Sequence, residues 1–477
     1  MNDPNGLFYA EGTYHLYFQY WPYGNVWGPM HWGHATSKDL VTWQEQPIAL
    51  YPDRFGYIFS GSATQDPNNT SGFGDGKNTP VVAIFTYMDP NLEKSGKDAQ
   101  SQGIAYSLDN GYTWTKYDQG NPVIKSPGIK DFRDPKVTWD NQHNQWVLVL
   151  AAQDKAQFYG SKNLKDWEYL SDFGTGLGAH GGVWECPDLF PITVEGTNET
   201  KWVLLQSLNP GGANGGSGTQ YFVGDFDGKT FRLDTSFETM VTKGKAAWLD
   251  YGRDNYAGVT WNNVPEADGR RLMIGWMSNW DYATVVPTQG WRSSMTLPRE
   301  LKLQKDKGSY RLVTSPVKEL ERYASKVVSK EKIKIKDNLL LAGSGTVDFN
   351  AADIQVELKG LKKGVYRFVL SNSLGEQITF GLDNNESALF IDRSAARTQQ
   401  FSDKFAKGVT KASLSSIQKE ATFRVLLDKT SIELFYNNGE TVLTDIFFTT
   451  KPFETLTMTG PGGEIKTLNI NQLTFKK

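Results

Sequence analysis

Short apolar runs, each about one strand long, recur through the amino-terminal part of the chain. Every run enters from a polar residue or a glycine and continues in β-branched, aromatic or aliphatic side chains, which is typical of a strand. Apolar spacings of three and four residues, which would indicate helices, are rare. The five runs that resemble one another are "GTYHLYFQY" from Gly12, "NTPVVAIFTYM" from Asn78, "NQWVLVLAA" from Asn144, "ETKWVLLQSL" from Glu199 and "GRRLMIGWMS" from Gly269.

A second pattern follows most of these runs, in which a turn precedes an aromatic strand. Its copies are "SKDLVTWQE" from Ser37, "SLDNGYTWTK" from Ser107, "SKNLKDWEY" from Ser161 and the looser "FDGKTFRL" from Phe226. Each unit therefore contains several short antiparallel strands. Because units of roughly 40 to 70 residues with four strands each are typical of a β-propeller, five units predict five blades.

The pattern changes after Leu301. A charged segment follows, with room for one short helix after Pro316, and beyond it apolar and polar positions alternate over several short strands. The "NNG" at Asn437 is a hairpin signal, and alternating antiparallel strands are typical of a β-sandwich. We therefore predict an all-β chain with three parts: a five-bladed β-propeller over 1–305, a linker with a short helix over 306–330, and a C-terminal β-sandwich over 331–477.

Composition and charge exclude several classes of protein. The formal net charge of the 477 residues is −3, which provides no basic surface for nucleic acid. No run of about 18 apolar residues is present, so no membrane span is expected. The single Cys186 excludes an internal disulfide. His31 and His34 lie three residues apart in a predicted strand and would point to opposite faces, so no metal site is expected there.

Three acidic residues occupy the same place in their units, just ahead of the repeated apolar run. Asp3 in "NDPNG" opens the first unit, Asp134 in "FRDPKV" opens the third, and Glu185 in "WECPDLF" opens the fourth. The first strand of each blade of a propeller lines the central channel. We therefore expect the three carboxylates to meet in one axial pocket, although they are far apart in the sequence.

Carboxylates that converge on one place repel one another and raise one another's pKa. This repulsion is unfavourable, and a purely structural site has no need of it. Cleavage of a glycosidic bond does need such a group of acids, because one carboxyl group must be protonated while another is ionised. The structural alternatives are an ion pair of Arg133 with Asp134, a strand end at Glu185 and a turn at Asp3. Because the three acids occupy the same position in three units, a shared chemical role is favoured over three separate structural ones.

"MNDPNG", "FRDP" and "WECPD", in this order, resemble the three signature motifs of family 32 of the glycoside hydrolases, which contains invertases, inulinases, levanases and related β-fructosidases. The other stretches that match the family pattern are "FSGSA" at Phe59, "NNTSGFG" at Asn68, "QSQGIAYSLDNGYTW" at Gln100, "NPGG" with "GSGTQYFVGDFDG" from Gly216, and "DKTSIELFYNNGE". The resemblance implies a five-bladed propeller followed by a β-sandwich, in agreement with the repeat count. Family members usually carry a strand and a tryptophan before the first motif, so we expect an upstream segment before Met1.

The resemblance also implies roles for individual residues. Asp3 is implied as the nucleophile, Glu185 as the general acid/base, and Asp134 as the residue that holds fructose hydroxyls and stabilises the transition state. No cofactor and no metal are implied. The residues that match positions lining the fructose pocket of the family are Asn2, Gln19, Trp27, Ser60 and Arg133, with Trp280 as a wall of that pocket.

The implied function is hydrolysis of terminal β-D-fructosyl residues of inulin and levan, and of sucrose or raffinose, by a retaining double displacement that releases fructose. The partner is then a fructan or a fructosyl oligosaccharide, and we expect an extracellular enzyme, although no signal segment is present in these residues. Three alternatives stay open: a fructosyltransferase on the same scaffold, an inverting arabinanase-like glycosidase, and a non-catalytic sugar-binding propeller. The motifs leave the preferred substrate and the oligomeric state open.

Overall fold

Antiparallel strands make up most of the computed structural model, which describes residues 1–242, 244–306, 308–396 and 401–475. In these residues the strands form seven sheets. The helices within the same ranges are short: α1 (Pro90–Lys94), α2 (Thr235–Val241) and two 3₁₀ helices, Lys318–Tyr323 and Asn437–Gly439. None of these described helices has the length and apolar character needed to cross a membrane.

Five sheets form the amino-terminal part, and each is built from consecutive strands. The first blade contains β1 (Pro4–Ala10), β2 (Thr13–Tyr20), β3 (His31–Ser37) and β4 (Gln44–Leu50). The second contains β5 (Tyr57–Gln65), β6 (Val81–Met88), β7 (Gln100–Ser107) and β8 (Thr115–Lys116). The third contains β9 (Phe132–Asp140), β10 (Gln145–Ala152), β11 (Lys155–Ser161) and β12 (Glu168–Phe173).

The last two blades each carry one additional short strand. The fourth contains β13 (Val183–Thr193), β14 (Thr200–Asn209), β15 (Gly218–Phe226) and β16 (Phe231–Leu233), and β17 (Ala247–Trp248) pairs with β15. The fifth contains β18 (Tyr256–Thr260), β19 (Arg271–Met277), β20 (Ser294–Met295), β21 (Arg299–Asp306) and β22 (Ser309–Pro316), with β20 paired to β19.

The first strands of the five blades contact one another in a closed ring, in the order β1, β5, β9, β13, β18 and back to β1. They therefore line a central axis, which is the arrangement of a propeller. The repeated apolar runs are the second strands β2, β6, β10, β14 and β19, and most of their side chains are buried. The predicted five-bladed propeller is confirmed.

In the first three blades, the turn after the third strand explains the repeated serine of the second sequence pattern. The hydroxyl oxygens of Ser37, Ser107 and Ser161 each accept a hydrogen bond of 2.8 or 2.9 Å from a backbone N–H three or four residues later. A serine side chain thus replaces a backbone partner and stabilises the same tight turn in three blades.

Each blade is built from one continuous part of the chain, so no blade combines strands from the two ends of the propeller domain to close the ring. The join between blade one and blade five is made by backbone hydrogen bonds of 3.0 Å from Tyr9 N to Asn262 O and from Asn262 N to Leu7 O. The side-chain amide of Asn262 also donates to Ala63 O of blade two at 2.8 Å. The same amide donates to Val137 O of blade three at 3.1 Å, so one asparagine connects four blades at the closure.

Two six-stranded sheets form the carboxy-terminal part. Their strands are β23 (Ala324–Lys334), β24 (Leu339–Gly343), β25 (Ala351–Lys359), β26 (Val365–Ser371), β27 (Gln377–Asp383), β28 (Ala388–Asp392), β29 (Thr410–Ser413), β30 (Glu420–Asp428), β31 (Ser431–Tyr436), β32 (Thr441–Ile446), β33 (Thr455–Thr459) and β34 (Glu464–Leu473). One sheet has the order β23-β34-β25-β30-β31-β32 and the other β24-β33-β26-β27-β28-β29.

The two sheets pack face to face through buried apolar side chains. Phe368 of β26 and Phe423 of β30 belong to different sheets, and their ring centroids lie 5.6 Å apart. The "NNG" turn at Asn437 joins β31 to β32 as a hairpin. The predicted β-sandwich is confirmed.

The fifth blade extends to Pro316, beyond the boundary at residue 305 expected from the sequence. β22 pairs with β21 along its whole length, so the charged residues near Asp306 belong to a hairpin tip and not to a linker. A 3₁₀ helix, Lys318–Tyr323, does follow Pro316, and the first sandwich strand starts directly after it, at Ala324. Exposed hairpin tips and linkers are both polar, which explains the difference.

A buried ionic cluster connects the propeller to the sandwich. The Arg299 side chain is fully buried, and its Nη1 donates to Asp250 Oδ2 of the propeller at 2.8 Å. Its Nη2 donates to Glu433 Oε2 of the sandwich at 2.6 Å and to Thr444 Oγ1 at 2.7 Å. One guanidinium group therefore compensates one carboxylate from each domain.

We expect Arg299→Met to lower the free energy of unfolding by about 3–5 kcal/mol, because two buried carboxylates then lose their cation. Urea denaturation followed by tryptophan fluorescence measures this. Arg232→Met is the matched control, since it removes an exposed pair with Asp227 and should leave the curve almost unchanged. Coincident curves for the two variants would contradict the role assigned to Arg299.

Candidate active site

The inner strands of all five blades are irregular near their first residues. The pairing of β1, β5, β9, β13 and β18 with the neighbouring strand shifts register at this end of the channel. Asp134, Cys186 and Ala257 have positive φ angles of 64°, 46° and 53° at these shifts. A β-bulge changes the direction of the side chains around it, and non-glycine residues in this conformation concentrate at functional sites.

A cavity of about 280 Å³ lies at this end of the channel. All nine residues singled out from the sequence line it: Asn2, Asp3, Gln19, Trp27, Ser60, Arg133, Asp134, Glu185 and Trp280. The other lining residues are Phe59, Glu93, Gln100 and Asp131. The structure thus brings together side chains from all five blades.

Asp3 is held at the start of β1 by its neighbours on two blades. Its Oδ2 accepts a hydrogen bond from Ser60 Oγ at 2.9 Å, and its Oδ1 accepts one from Asn2 Nδ2 at 3.2 Å. The backbone N–H of Gln19 donates to Asp3 O at 3.0 Å, which fixes the residue against β2. Burial and the Glu185 carboxylate raise the pKa of Asp3, whereas the two side-chain hydrogen bonds lower it.

Asp134 and Asp3 share one neighbour, the thiol of Cys186. Its Sγ lies 3.5 Å from Asp134 Oδ2 and 3.6 Å from Asp3 Oδ2, and Cys186 N donates to Asp134 Oδ2 at 3.0 Å. Burial raises the pKa of Asp134 to about 7, with Glu185 and Asp3 adding to the effect and Arg133 opposing it. Burial and the acids also raise the pKa of the Cys186 thiol, which therefore stays neutral.

Glu185 receives hydrogen bonds on both carboxylate oxygens. Arg133 Nη2 and Nε donate to Oε1 at 2.9 Å and 3.3 Å, and the Tyr256 hydroxyl donates to Oε2. Arg133 is itself held by Asp131, whose Oδ1 accepts from Nη1 at 2.7 Å. The guanidinium also lies 3.9 Å from Asp134 Oδ2. Arg133 therefore lies among the acids and partly balances their charge.

Tyr256 was not singled out from the sequence. It is the first residue of β18, the inner strand of the fifth blade, and so occupies the place that Asp134 and Glu185 occupy near the start of β9 and β13. The signal that identified the acids would have identified it, had the fifth unit been aligned on its inner strand. Burial and Glu185 raise the pKa of Tyr256, so its hydroxyl stays a donor.

Two tryptophans border the opening of the cavity. Trp27 is about half exposed, with its ring 6.2 Å from that of Phe59. Trp280 packs on Trp276 with centroids 4.8 Å apart, and its backbone N–H donates to Ser217 Oγ at 3.1 Å. Aromatic faces beside polar groups are suited to the apolar faces and hydroxyls of a sugar ring.

Two family models together match nearly the whole chain. Residues 1–316 match the N-terminal domain of glycosyl hydrolases family 32, and residues 319–477 match the C-terminal domain of that family. The chain belongs to glycosyl hydrolase family 32. The resemblance inferred from the three acidic motifs is therefore confirmed.

Other family 32 proteins share the sequence and the fold over nearly the full chain. A levanase of Bacillus subtilis (strain 168) is 48% identical over 482 residues, which cover 100% of this chain and 69% of the levanase. An extracellular exo-inulinase of Aspergillus niger is 39% identical, over 99% of this chain and 91% of that protein.

Solved structures show the same relationship. The crystal structure of an exo-inulinase from Aspergillus awamori has a TM-score of 0.91 at 37% identity and covers 99% of this chain and 96% of its own. A fructofuranosidase variant from Schwanniomyces occidentalis, complexed with fructosylnystose, has a TM-score of 0.88 at 35% identity and covers 100% of this chain and 95% of its own.

We expect Asp134→Asn to stabilise the protein at neutral pH. The folded-state pKa of about 7 lies above the ordinary value near 4, so the carboxyl group favours folding most below pH 4 and loses that contribution as the pH rises through 7. Asparagine keeps the acceptor for Cys186 N but carries no charge. The gain should be about 4 kcal/mol at pH 7.5 and vanish near pH 4.

Thermal unfolding of wild type and Asp134→Asn at several pH values measures this difference. Ser37→Ala, which removes a turn hydroxyl far from the acids, is the control, because its effect should be independent of pH. A difference between wild type and Asp134→Asn that stays constant from pH 4 to 7.5 would contradict the raised pKa.

Proposed function

We propose that this family 32 chain is a retaining β-fructosidase that removes terminal β-D-fructosyl residues from fructans such as inulin and levan, and from sucrose or raffinose. The observation that carries the proposal is the placement of Asp3 and Glu185 on one small cavity in different surroundings. Asp3 is held by Ser60 and Asn2, whereas Glu185 lies against a cation and a phenol. Retaining hydrolysis needs two carboxyl groups with different roles.

In the first step Asp3 attacks the anomeric carbon of the terminal fructosyl unit while Glu185 gives its proton to the leaving oxygen. The bond from the anomeric carbon to that oxygen breaks, and an ester bond to Asp3 forms. Glu185 ends this step as a carboxylate. The donors from Arg133 and Tyr256 stabilise that negative charge at both oxygens.

In the second step Glu185 accepts a proton from a water molecule as that water attacks the anomeric carbon. The ester to Asp3 breaks, fructose is released, and both carboxyl groups return to their starting protonation states. Two inversions at the same carbon give overall retention of configuration.

Asp134 is proposed to hold fructose hydroxyls and to stabilise the positive charge that develops on the sugar ring. Asp134 lines the cavity, and its Oδ2 accepts a hydrogen bond from Cys186 N and lies 3.9 Å from Arg133 Nε. Burial first, and then the Glu185 and Asp3 carboxylates, raise the pKa of Asp134 in the free protein, and a developing positive charge nearby favours its ionised form.

The size of the cavity supports action at chain ends. At about 280 Å³ it lies just below the range of roughly 300–1,000 Å³ seen for ligand pockets, and it fits one terminal ring better than a polymer segment. Trp27 and Trp280 border it on two sides. Relatives named extracellular exo-inulinases support the further proposal that this protein acts outside the cell.

Asp3→Ala and Glu185→Ala should each lower kcat by several orders of magnitude, because each removes a group that both steps use. The loss of kcat/KM at Glu185 should be much smaller on an aryl fructoside, whose leaving group needs no proton, although kcat stays low because the second step still lacks its base. The loss at Asp3 should be the same on both substrates. Steady-state rates on sucrose and on the aryl fructoside measure this. Near-normal turnover of sucrose by a folded Glu185→Ala protein would overturn the assignment.

Tyr256→Phe should lower kcat/KM for sucrose by about 10- to 100-fold, because Glu185 Oε2 loses its donor. The ionised acid is then less stable, so the alkaline limb of the pH–rate profile should move to higher pH. Tyr221→Phe, which removes a buried hydroxyl of the fourth blade, is the control. A uniform loss of rate without movement of the profile would indicate a merely structural role.

Digestion of inulin should release free fructose from the first minutes while the polymer shortens slowly, because only a terminal ring enters the cavity. Chromatography of early time points measures the products. Trp280→Ala should raise KM without unfolding the propeller. Short oligosaccharides among the earliest products would contradict action at chain ends.

A further inference from the structure

One acid of the cavity takes no part in the double displacement. Glu93 belongs to α1, in the connection between β6 and β7 of the second blade, and it lines the same cavity as Asp3 and Glu185. Within the described residues its carboxylate accepts no hydrogen bond and forms no ion pair. The other acids of the lining, Asp3, Asp131, Asp134 and Glu185, all have protein partners.

The cavity offers Glu93 no cation of its own. Arg133 is the only lysine or arginine among the lining residues, all of which the structure describes. Its Nη1 donates to Asp131 Oδ1 at 2.7 Å, and its Nη2 donates to Glu185 Oε1 at 2.9 Å. Packing does not explain the position of Glu93 either, because no side chain of α1 is buried. The Glu93 carboxylate is therefore free to accept hydrogen bonds from a ligand.

The connection that carries Glu93 is held in shape by its own hydrogen bonds. Asp89 Oδ1 accepts from Asn91 N at 2.8 Å and from Leu92 N at 3.3 Å, which caps the start of α1. Asp89 N donates to Ala99 O at 2.9 Å and closes the base of the connection, one residue before β7 begins. Glu93 is therefore held at a defined place beside the cavity.

Exposure divides the lining of the cavity into a buried base and an exposed rim. The buried residues of the base are Asn2, Gln19, Ser60, Gln100 and Asp134. Trp27 and Glu93 are the two exposed lining residues. In the proposed reaction the terminal fructosyl ring reaches Asp3 and so lies among the buried groups, and the sugar unit joined to it lies at the rim. Trp27 offers that unit an apolar face, and Glu93 offers it two acceptor oxygens.

We propose that Glu93 binds the sugar unit that leaves with the rest of the substrate, by accepting hydrogen bonds from its hydroxyl groups. This inference rests on the proposed β-fructosidase activity, and it assigns Glu93 to substrate specificity and not to the chemical step. A carboxylate can accept from two neighbouring hydroxyls at once, and such charge-assisted bonds are stronger than neutral ones. The ligand class is a neutral saccharide with hydroxyls on the unit next to the terminal fructosyl ring, as in sucrose and 1-kestose.

Kinetics on substrates with and without a leaving sugar test the proposal. Glu93→Ala should lower kcat/KM for sucrose and for 1-kestose by about five- to tenfold, mainly through KM, because it removes a contact made equally in the bound substrate and in the transition state. On methyl β-D-fructofuranoside, whose leaving group is methanol, the same variant should match wild type. Lys94→Ala is the matched control and should change neither rate, since its side chain is exposed on the same helix and does not line the cavity.

Calorimetric titration separates this inference from the catalytic assignment, because it needs no turnover. The Asp3→Ala chain should bind 1-kestose. Adding Glu93→Ala to it should weaken that binding by about five- to tenfold and leave the affinity for fructose unchanged. Binding of 1-kestose that depends on Glu93, in a protein whose wild type hydrolyses no fructoside, would refute the proposed function and leave this inference standing.

An equal loss of kcat/KM on all three substrates would overturn the inference, because Glu93 would then act on the acids of the cavity and not on the leaving sugar. Unchanged kinetics of Glu93→Ala on sucrose and 1-kestose would overturn it as well. So would 1-kestose binding that is independent of Glu93, or the absence of 1-kestose binding by the Asp3→Ala chain.

Discussion

Electrostatic repulsion among three buried acids at one end of the channel is the constraint on which the rest of the structure depends. Asp3, Asp134 and Glu185 reach one cavity from three blades, and burial adds to the cost of their charges. Arg133 is the cation that contacts two of them. A flexible scaffold would relieve this repulsion by moving the acids apart, so their positions must be imposed by rigid elements.

The fold provides that rigidity at three levels. Each acid lies at the beginning of an inner strand that is hydrogen-bonded to its own blade, and the local bulges direct the side chains to the axis. Asn262 closes the ring by linking blade five to blades one, two and three. The cluster around Arg299 then attaches the fifth blade to the sandwich, so that the domain interface supports the closed ring. Part of the free energy of folding thus offsets the repulsion between charged groups that are held in a fixed arrangement, which is what a preorganised site requires.

Features that repeat along the chain could be predicted from the sequence, and features that depend on a single residue could not. The five apolar runs, and the position of Asp134 and Glu185 ahead of them, follow a local pattern. The number of blades and the convergence of the acids could therefore be predicted from the sequence. Tyr256 has the same position at the start of an inner strand, but one tyrosine among 21 has no distinctive motif, so it stands out only once the fifth unit is aligned on β18. The hairpin near Asp306 was taken for a linker because exposed tips and linkers have the same composition.

The covalent intermediate on Asp3 is the most direct test of this account. Glu185→Ala protein is mixed with an aryl fructoside, quenched in acid, digested and examined by mass spectrometry. The account predicts one fructosyl unit on the peptide that contains Asp3, and no such adduct when Asp3 is replaced by alanine in the same background. Turnover without any adduct, or an adduct on Asp134 or another residue, would contradict it.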